Sequence, residues 1–198
     1  MFRKRHQLPY AVHAVLAAVA VLVAAMFLPA AAHASQGAVH VFVGQKFLDE
    51  EDWEPIDTQF ELGIDAALGG DDWPIWINLG LFSASDEEEL DIDEEVEATT
   101  TEFSLGINKT WTRRQFRPFV AGGLAFVNTD IEIRDPDEVF EDDDSGVGLY
   151  AQGGGYWRIG SSFNLGGMLR YSVFSDDFEG GGVHVGLIAG FGWPKARY

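Results

Sequence analysis

Few side chains in this sequence are of types that do chemistry, and most of those are charged. Five histidines are present, and only His40 and His184 follow residue 34. Hydrolysis needs an imidazole within hydrogen-bond reach of a hydroxyl or carboxylate. For His184 the serines to consider are Ser172 and Ser175. With no cysteine there is no thiolate nucleophile, thiolate metal site or disulfide. Six charged residues stand singly within apolar, alternating stretches: Lys46, Glu61, Asp65, Glu102, Arg158 and Arg170. Opposite charges drawn out of water must find one another, so these six are ion-pair candidates rather than catalysts. The remaining acids come in runs, where hard cations such as Ca²⁺ or Mg²⁺ bind loosely to carboxylate oxygens. The richest run, Glu141-Asp142-Asp143-Asp144-Ser145-Gly146, lacks the alternation of an EF-hand loop. No catalytic residue, specific metal site or cofactor is assigned.

The overall balance narrows the function classes. The 198 residues carry 32 acidic and 13 basic side chains, a formal net charge of −19, which argues against nucleic acid as a partner. With 46% hydrophobic and 13% aromatic residues the chain has ample material for a folded core. Residues 1–34 read as a secretory signal: Arg3, Lys4 and Arg5, then an apolar run from Ala11 to Leu28, then Ala32-His33-Ala34, which places the cut before Ser35. Residues 35–198 form the domain. Beyond the signal no apolar run approaches the ~20 residues of a membrane helix.

The elements that must position the charged residues are strands. Apolar residues alternate in eight runs: Val39–Val43, Phe60–Ala66, Ile75–Leu81, Phe103–Ile107, Phe119–Val127, Val147–Trp157, Phe163–Val173 and Val183–Trp193. Period two without a competing helical period is the strand signal. In the fifth run Phe119, Ala121, Ala125 and Val127 are assigned to the apolar face, with Val120, Leu124 and Phe126 opposite. The other face of the set carries His40, Lys46, Gln59, Glu61, Asp65, Asn78, Glu102, Ser104, Asn108, Gln152, Arg158, Asn164 and Arg170. Gly63, Gly80, Gly106, Gly122, Gly154, Gly166 and Gly186 are interleaved with them. Small and polar residues on one wall suit a narrow barrel packing side chains across its lumen.

Charge is sorted by connection. Segments 49–57, 84–98, 130–145 and 175–182 hold most of the acids, whereas the intervening connections at 69–72, 112–115 and 160–162 are short. Long connections on one rim and tight turns on the other are the layout of an outer-membrane barrel. The expected fold is all-β, a closed eight-stranded antiparallel up-and-down transmembrane β-barrel. Phe103, Phe119, Trp157, Phe163, Tyr171, Phe191 and Trp193 are its candidate aromatic girdles.

Over residues 35–198 the chain resembles the small eight-stranded outer-membrane barrels of the OmpA/OmpX type. The stretch Phe163-Asn164-Leu165-Gly166-Gly167-Met168-Leu169-Arg170-Tyr171 and the alternation from Val183 to Trp193 carry the likeness together with the other runs. The sequence departs from the family where Pro194-Lys195-Ala196-Arg197 separates the last strand from Tyr198. The resemblance implies a bacterial outer-membrane protein and a monomer. Its partners would be outer-membrane lipid and lipopolysaccharide, and the barrel-assembly machinery during insertion. Loosely bound divalent cations are expected at the acidic loops.

Three functions compete: a structural or surface-presenting barrel, a narrow ion or solute channel, and a lipid-modifying enzyme. A soluble periplasmic barrel is a further alternative. Strand direction places Lys46, Glu61, Glu102 and Arg170 in the outer half of the lumen and His40, Asp65 and Arg158 in the inner half. Arg170 is expected to meet Glu61, closing the lumen with an ion-pair plug. His40 and His184 lie at opposite ends of neighbouring strands and cannot share a dyad, so an enzyme is not expected.

Overall fold

The computed structural model describes residues 36–48, 58–70, 73–91, 94–111, 115–134, 139–175 and 181–193. Residues 1–35, where the sequence reads as a signal, segment 49–57, most of 175–182 and the residues after Trp193 lie outside them. Eight strands follow in order: β1 (Gln36–Leu48), β2 (Thr58–Gly69), β3 (Trp76–Asp91), β4 (Glu94–Thr110), β5 (Phe116–Arg134), β6 (Val139–Ile159), β7 (Phe163–Phe174) and β8 (Gly182–Trp193). Each pairs antiparallel with its sequence neighbour. β8 returns to β1 through the register Val41↔Ala189, closing the barrel. Closure gives every strand two partners, the condition for backbone amides to lie in lipid.

Alternation decides the two faces. Val41, Leu62, Ile77, Leu105, Leu149, Leu169 and Leu187 are exposed on the outer surface, Leu187 at 68%. His40, Lys46, Gln59, Glu61, Asp65, Asn78, Glu102, Ser104, Asn108, Gln152, Asn164 and Arg170 are buried in the lumen. A continuous apolar exterior over a polar interior excludes a soluble barrel, which would bury its apolar face.

The fifth strand reverses its expected faces. Val120, Leu124 and Phe126 face outward, Val120 at 48% exposure, while Phe119, Ala125 and Val127 are buried, Ala125 completely. Between buried Phe119 and Val127 the inward residues are the small Ala121, Gly123 and Ala125, while Leu124 and Phe126 go to lipid. Gly122 is therefore on the outer face, paired with outward Ile107. Phe119 leaves the girdle and packs against Tyr156 inside, ring centroids 6.1 Å apart. Exposed aromatics instead form two belts. Trp73, Trp111, Phe116, Trp157, Phe163 and Phe191 gather at the short-turn end, and Phe47, Phe60, Phe126 and Tyr171 at the other.

Two acidic connections are sheet rather than loop. β3 and β4 stay paired through Glu89↔Glu95, and β5 and β6 through Arg134↔Val139. The 19-residue β5 and 21-residue β6 outrun the 12-residue β7 and β8 by roughly 24 and 31 Å at 3.4 Å per residue. At the opposite rim the β6–β7 turn closes on Gly160, at a φ of 65° that a side chain disfavours.

The faces of β5 generate a test. In an unfolding titration in lipid, Leu124→Phe should be near neutral and Leu124→Arg should cost ~2–4 kcal/mol. Ala125→Phe should cost ~1–3 kcal/mol by overpacking the lumen. A tolerated Ala125→Phe beside a damaging Leu124→Phe would reverse the assignment.

Candidate functional site

The chemistry-bearing residues converge inside the barrel, in three groups. The largest centres on Arg170 of β7. Its Nη2 donates to Glu102 Oε1 of β4, and its Nη1 donates to Gln152 Oε1 of β6 at 2.9 Å. The guanidinium plane lies between two rings, 4.1 Å from the Tyr150 centroid and 4.6 Å from that of Phe82. Gln152 Nε2 donates onward to Asp65 Oδ1 of β2 at 2.9 Å. Asp65 also accepts from Asn78 Nδ2 of β3 at 3.0 Å, and Tyr150 Oη donates to Asn78 Oδ1 at 2.8 Å. One connected network thus ties β2, β3, β4, β6 and β7 across the lumen.

The second group was only half visible in sequence. His184 Nδ1 lies 2.7 Å from Glu61 Oε1, and His184 Nε2 lies 3.0 Å from Ser172 Oγ. This is the connectivity of a serine–histidine–acid relay. Ser172 and His184 have no exposed surface and Glu61 has 1%. The same bonds give three buried polar groups hydrogen-bonding partners. Near the inner end, His40 Nε2 meets Asn164 Nδ2 at 3.1 Å, and Arg158 Nε donates to Asn164 Oδ1 at 3.4 Å.

The expected pairs are therefore re-sorted. Arg170 takes Glu102 rather than Glu61, which reaches from β2 past β1 to His184 of β8. Asp65 is held by amides of Asn78 and Gln152, not by Arg158, which lies beside the β6–β7 turn. Lys46, 1% exposed, is cross-strand from Gln59 and His184. Its ammonium has no hydrogen-bonding partner among the described residues. Apolar packing also fills the lumen: Phe42, Phe82, Phe119, Tyr156, Met168 and Ile188 form a buried cluster. Phe82 lies over Gly63, where any Cβ would collide with its ring. Strict parity with His40 on β1 and Asn78 on β3 marks Phe42 and Phe82 as inward. Among the described residues no group of acids and histidines is arranged to hold a metal.

This closed, plugged barrel has clear relatives. The outer membrane protein beta-barrel domain family matches residues 17–191. The chain belongs to that family. Ail, the attachment invasion locus protein of Yersinia pestis, is similar in structure, with a TM-score of 0.58 at 9% identity over 80% of this chain and 98% of Ail. A major outer membrane protein of Thermus thermophilus gives 0.52 at 12% identity, covering 79% and 99%. OprG of Pseudomonas aeruginosa gives 0.50 at 11%, covering 80% and 94%. At such identities the structures share the fold. No curated protein sequence matches the chain. Membership places this β-barrel in the bacterial outer membrane.

The re-sorted pairs predict a specific coupling. Arg170→Ala should destabilise the barrel by ~3–5 kcal/mol, because it strands Glu102 in the lumen. Adding Glu102→Gln should recover part of that loss, whereas adding Glu61→Gln should not. Lys46→Met should change stability by less than ~1 kcal/mol, since no direct partner is stranded. Equal coupling of Arg170 to both glutamates in the double-mutant cycles would refute the network.

Proposed function

We propose that the protein is a closed outer-membrane anchor that holds acidic hairpins at the cell surface, and that it is neither a pore nor an enzyme. The observation that carries this reading is the filling of the lumen. Arg170, Phe42, Lys46, Phe82, Ile188, His184, Gln59, Glu61 and Glu102 are its largest fully buried side chains. They come from six strands. A conducting path would need the ion-pair layer and the apolar layer to part together, in a barrel whose width suits filling by side chains. The enclosure of Ser172 speaks in the same way against hydrolysis.

The surface role rests on the extended hairpins. Register places Glu87, Glu97, Glu132 and Glu141 side by side across β3, β4, β5 and β6. Like charges directly opposite repel, and loosely held Ca²⁺ or Mg²⁺ would relieve that repulsion and bridge to lipopolysaccharide phosphate. Ail has been crystallised with the heparin analogue sucrose octasulfate. An acidic rim disfavours so anionic a ligand, and the partner we infer here is cationic or cation-bridged. Export would follow from the signal at 1–34, with the mature chain starting at Ser35. It would act as a monomer, inserted by the barrel-assembly machinery.

Refolded protein in a planar bilayer should give no discrete channel openings, and steady single-channel conductance would overturn the closed-anchor reading. A glutamate-specific protease added to intact cells should clip within 84–98 or 130–145. Cleavage seen only after the outer membrane is permeabilised would place the hairpins on the wrong side.

A further inference from the structure

Among the described residues a concavity lies on the outer surface at the short-turn rim, away from the acidic hairpins. Between β2 and β3, Gly69 and Gly70 lie against two indoles. Gly69 and Gly70 leave room where the Trp76 and Trp73 indoles lie, and a Cβ at either glycine would strike the ring above it. Trp73 N–H donates to Gly70 O at 3.3 Å, holding the turn closed. The folded turn and the first residues of β3 make one wall, and Ile107 of β4 makes the other. Between them is a space of about 370 Å³ lined by Trp73, Pro74, Ile75, Trp76, Ile77 and Ile107, a size within the range of small-molecule clefts. Ile75, Ile77 and Ile107 are exposed and continuous with outward Leu105, so the cleft opens onto the lipid-facing belt. Directly above this wall, Lys109 of β4 donates its ammonium to Pro74 O. That bond occupies one of three N–H donors, and the charge stays at the level where lipid headgroups lie.

We propose that this cleft binds one anionic phospholipid of the inner leaflet, an acyl chain seated between the Trp73–Ile77 segment and Ile107 and its phosphate on Lys109. The apolar lining and its continuity with the hydrocarbon belt select the chain. Lys109, facing out on an otherwise apolar strand end, selects the negative headgroup. The site is separate from the lumen network and needs none of its residues.

Native mass spectrometry of the full refolded barrel, released from detergent containing equal phosphatidylglycerol and phosphatidylcholine, tests this directly. One phosphatidylglycerol should be retained in roughly fivefold preference, the ratio that about 1 kcal/mol from one lysine at a lipid surface confers. Lys109→Gln should abolish the preference while keeping the total lipid retained. Ile107→Trp, which fills the cleft with an interfacial residue, should lower retention of both lipids. Heat-dependent gel mobility reports that each variant is folded, and free phosphate added in excess should not displace the lipid. Equal retention of the two lipids by the native chain would overturn the headgroup assignment, as would an unchanged preference in Lys109→Gln. Undiminished retention in folded Ile107→Trp would overturn the acyl-chain site.

Discussion

The guanidinium of Arg170 is the constraint on which the lumen depends. A charge this enclosed is tolerated only if it is paired, hydrogen-bonded and packed together. Here Glu102 neutralises it, Gln152 takes a second N–H, and the Tyr150 and Phe82 faces cover the plane. Each of those partners comes from a different strand except the two on β6. The register of β3, β4, β6 and β7 is therefore tied to one side chain as well as to backbone ladders. A one-residue slip of any strand would send its member of the network into lipid.

Around that hub, polar satisfaction and volume trade off across the lumen. Where Arg170, Phe82 and Tyr150 take up space, facing positions shrink to glycine or alanine. Gly63 lies beneath Phe82, and Ala125 is wholly enclosed on β5. The same rule explains why β5 departs from hydrophobic alternation. Its central inward positions, Ala121, Gly123 and Ala125, are small, and Phe119 and Val127 on either side of them are buried inside as well. Membrane-facing positions have no such limit, so Val120, Leu124 and Phe126 go outward.

What could be read from the sequence follows from that physics. Period-two alternation is imposed by lipid on one side and a polar interior on the other, so strand count, closure and the polar face were legible. Pairing was not. Arg170 and Glu61 lie at comparable heights, and only the circumferential positions of Glu102 and His184 decide between the possible partners. Apolar plug residues such as Phe42 and Ile188 were hidden because hydrophobicity was read as a lipid signal. In a lumen this narrow a ring fills space as well as an ion pair does. The hydrogen-bonded chain of Ser172, His184 and Glu61 joins residues far apart in sequence, and its enclosure exists only in three dimensions.

The acidic segments raise the opposite problem, since their charges should tear a hairpin apart and yet pairing continues through them. Register supplies the reason. Across β4, β5 and β6, Glu97, Glu132 and Glu141 fall in one row, and Val96, Ile133 and Phe140 in the next. Successive rows of a sheet belong to opposite faces, so these two rows fall on opposite faces of the extension. Cross-strand apolar pairs contribute roughly 0.2–1 kcal/mol each, and opposed like charges cost a comparable amount. The two nearly cancel. The deciding contribution is the barrel below, which has already fixed both strand ends and so removes the loop-closure entropy that an isolated hairpin would face. A closed, filled lumen and a long charged hairpin are in this sense one design: the rigidity of the first permits the second to be built from residues that would not pair alone.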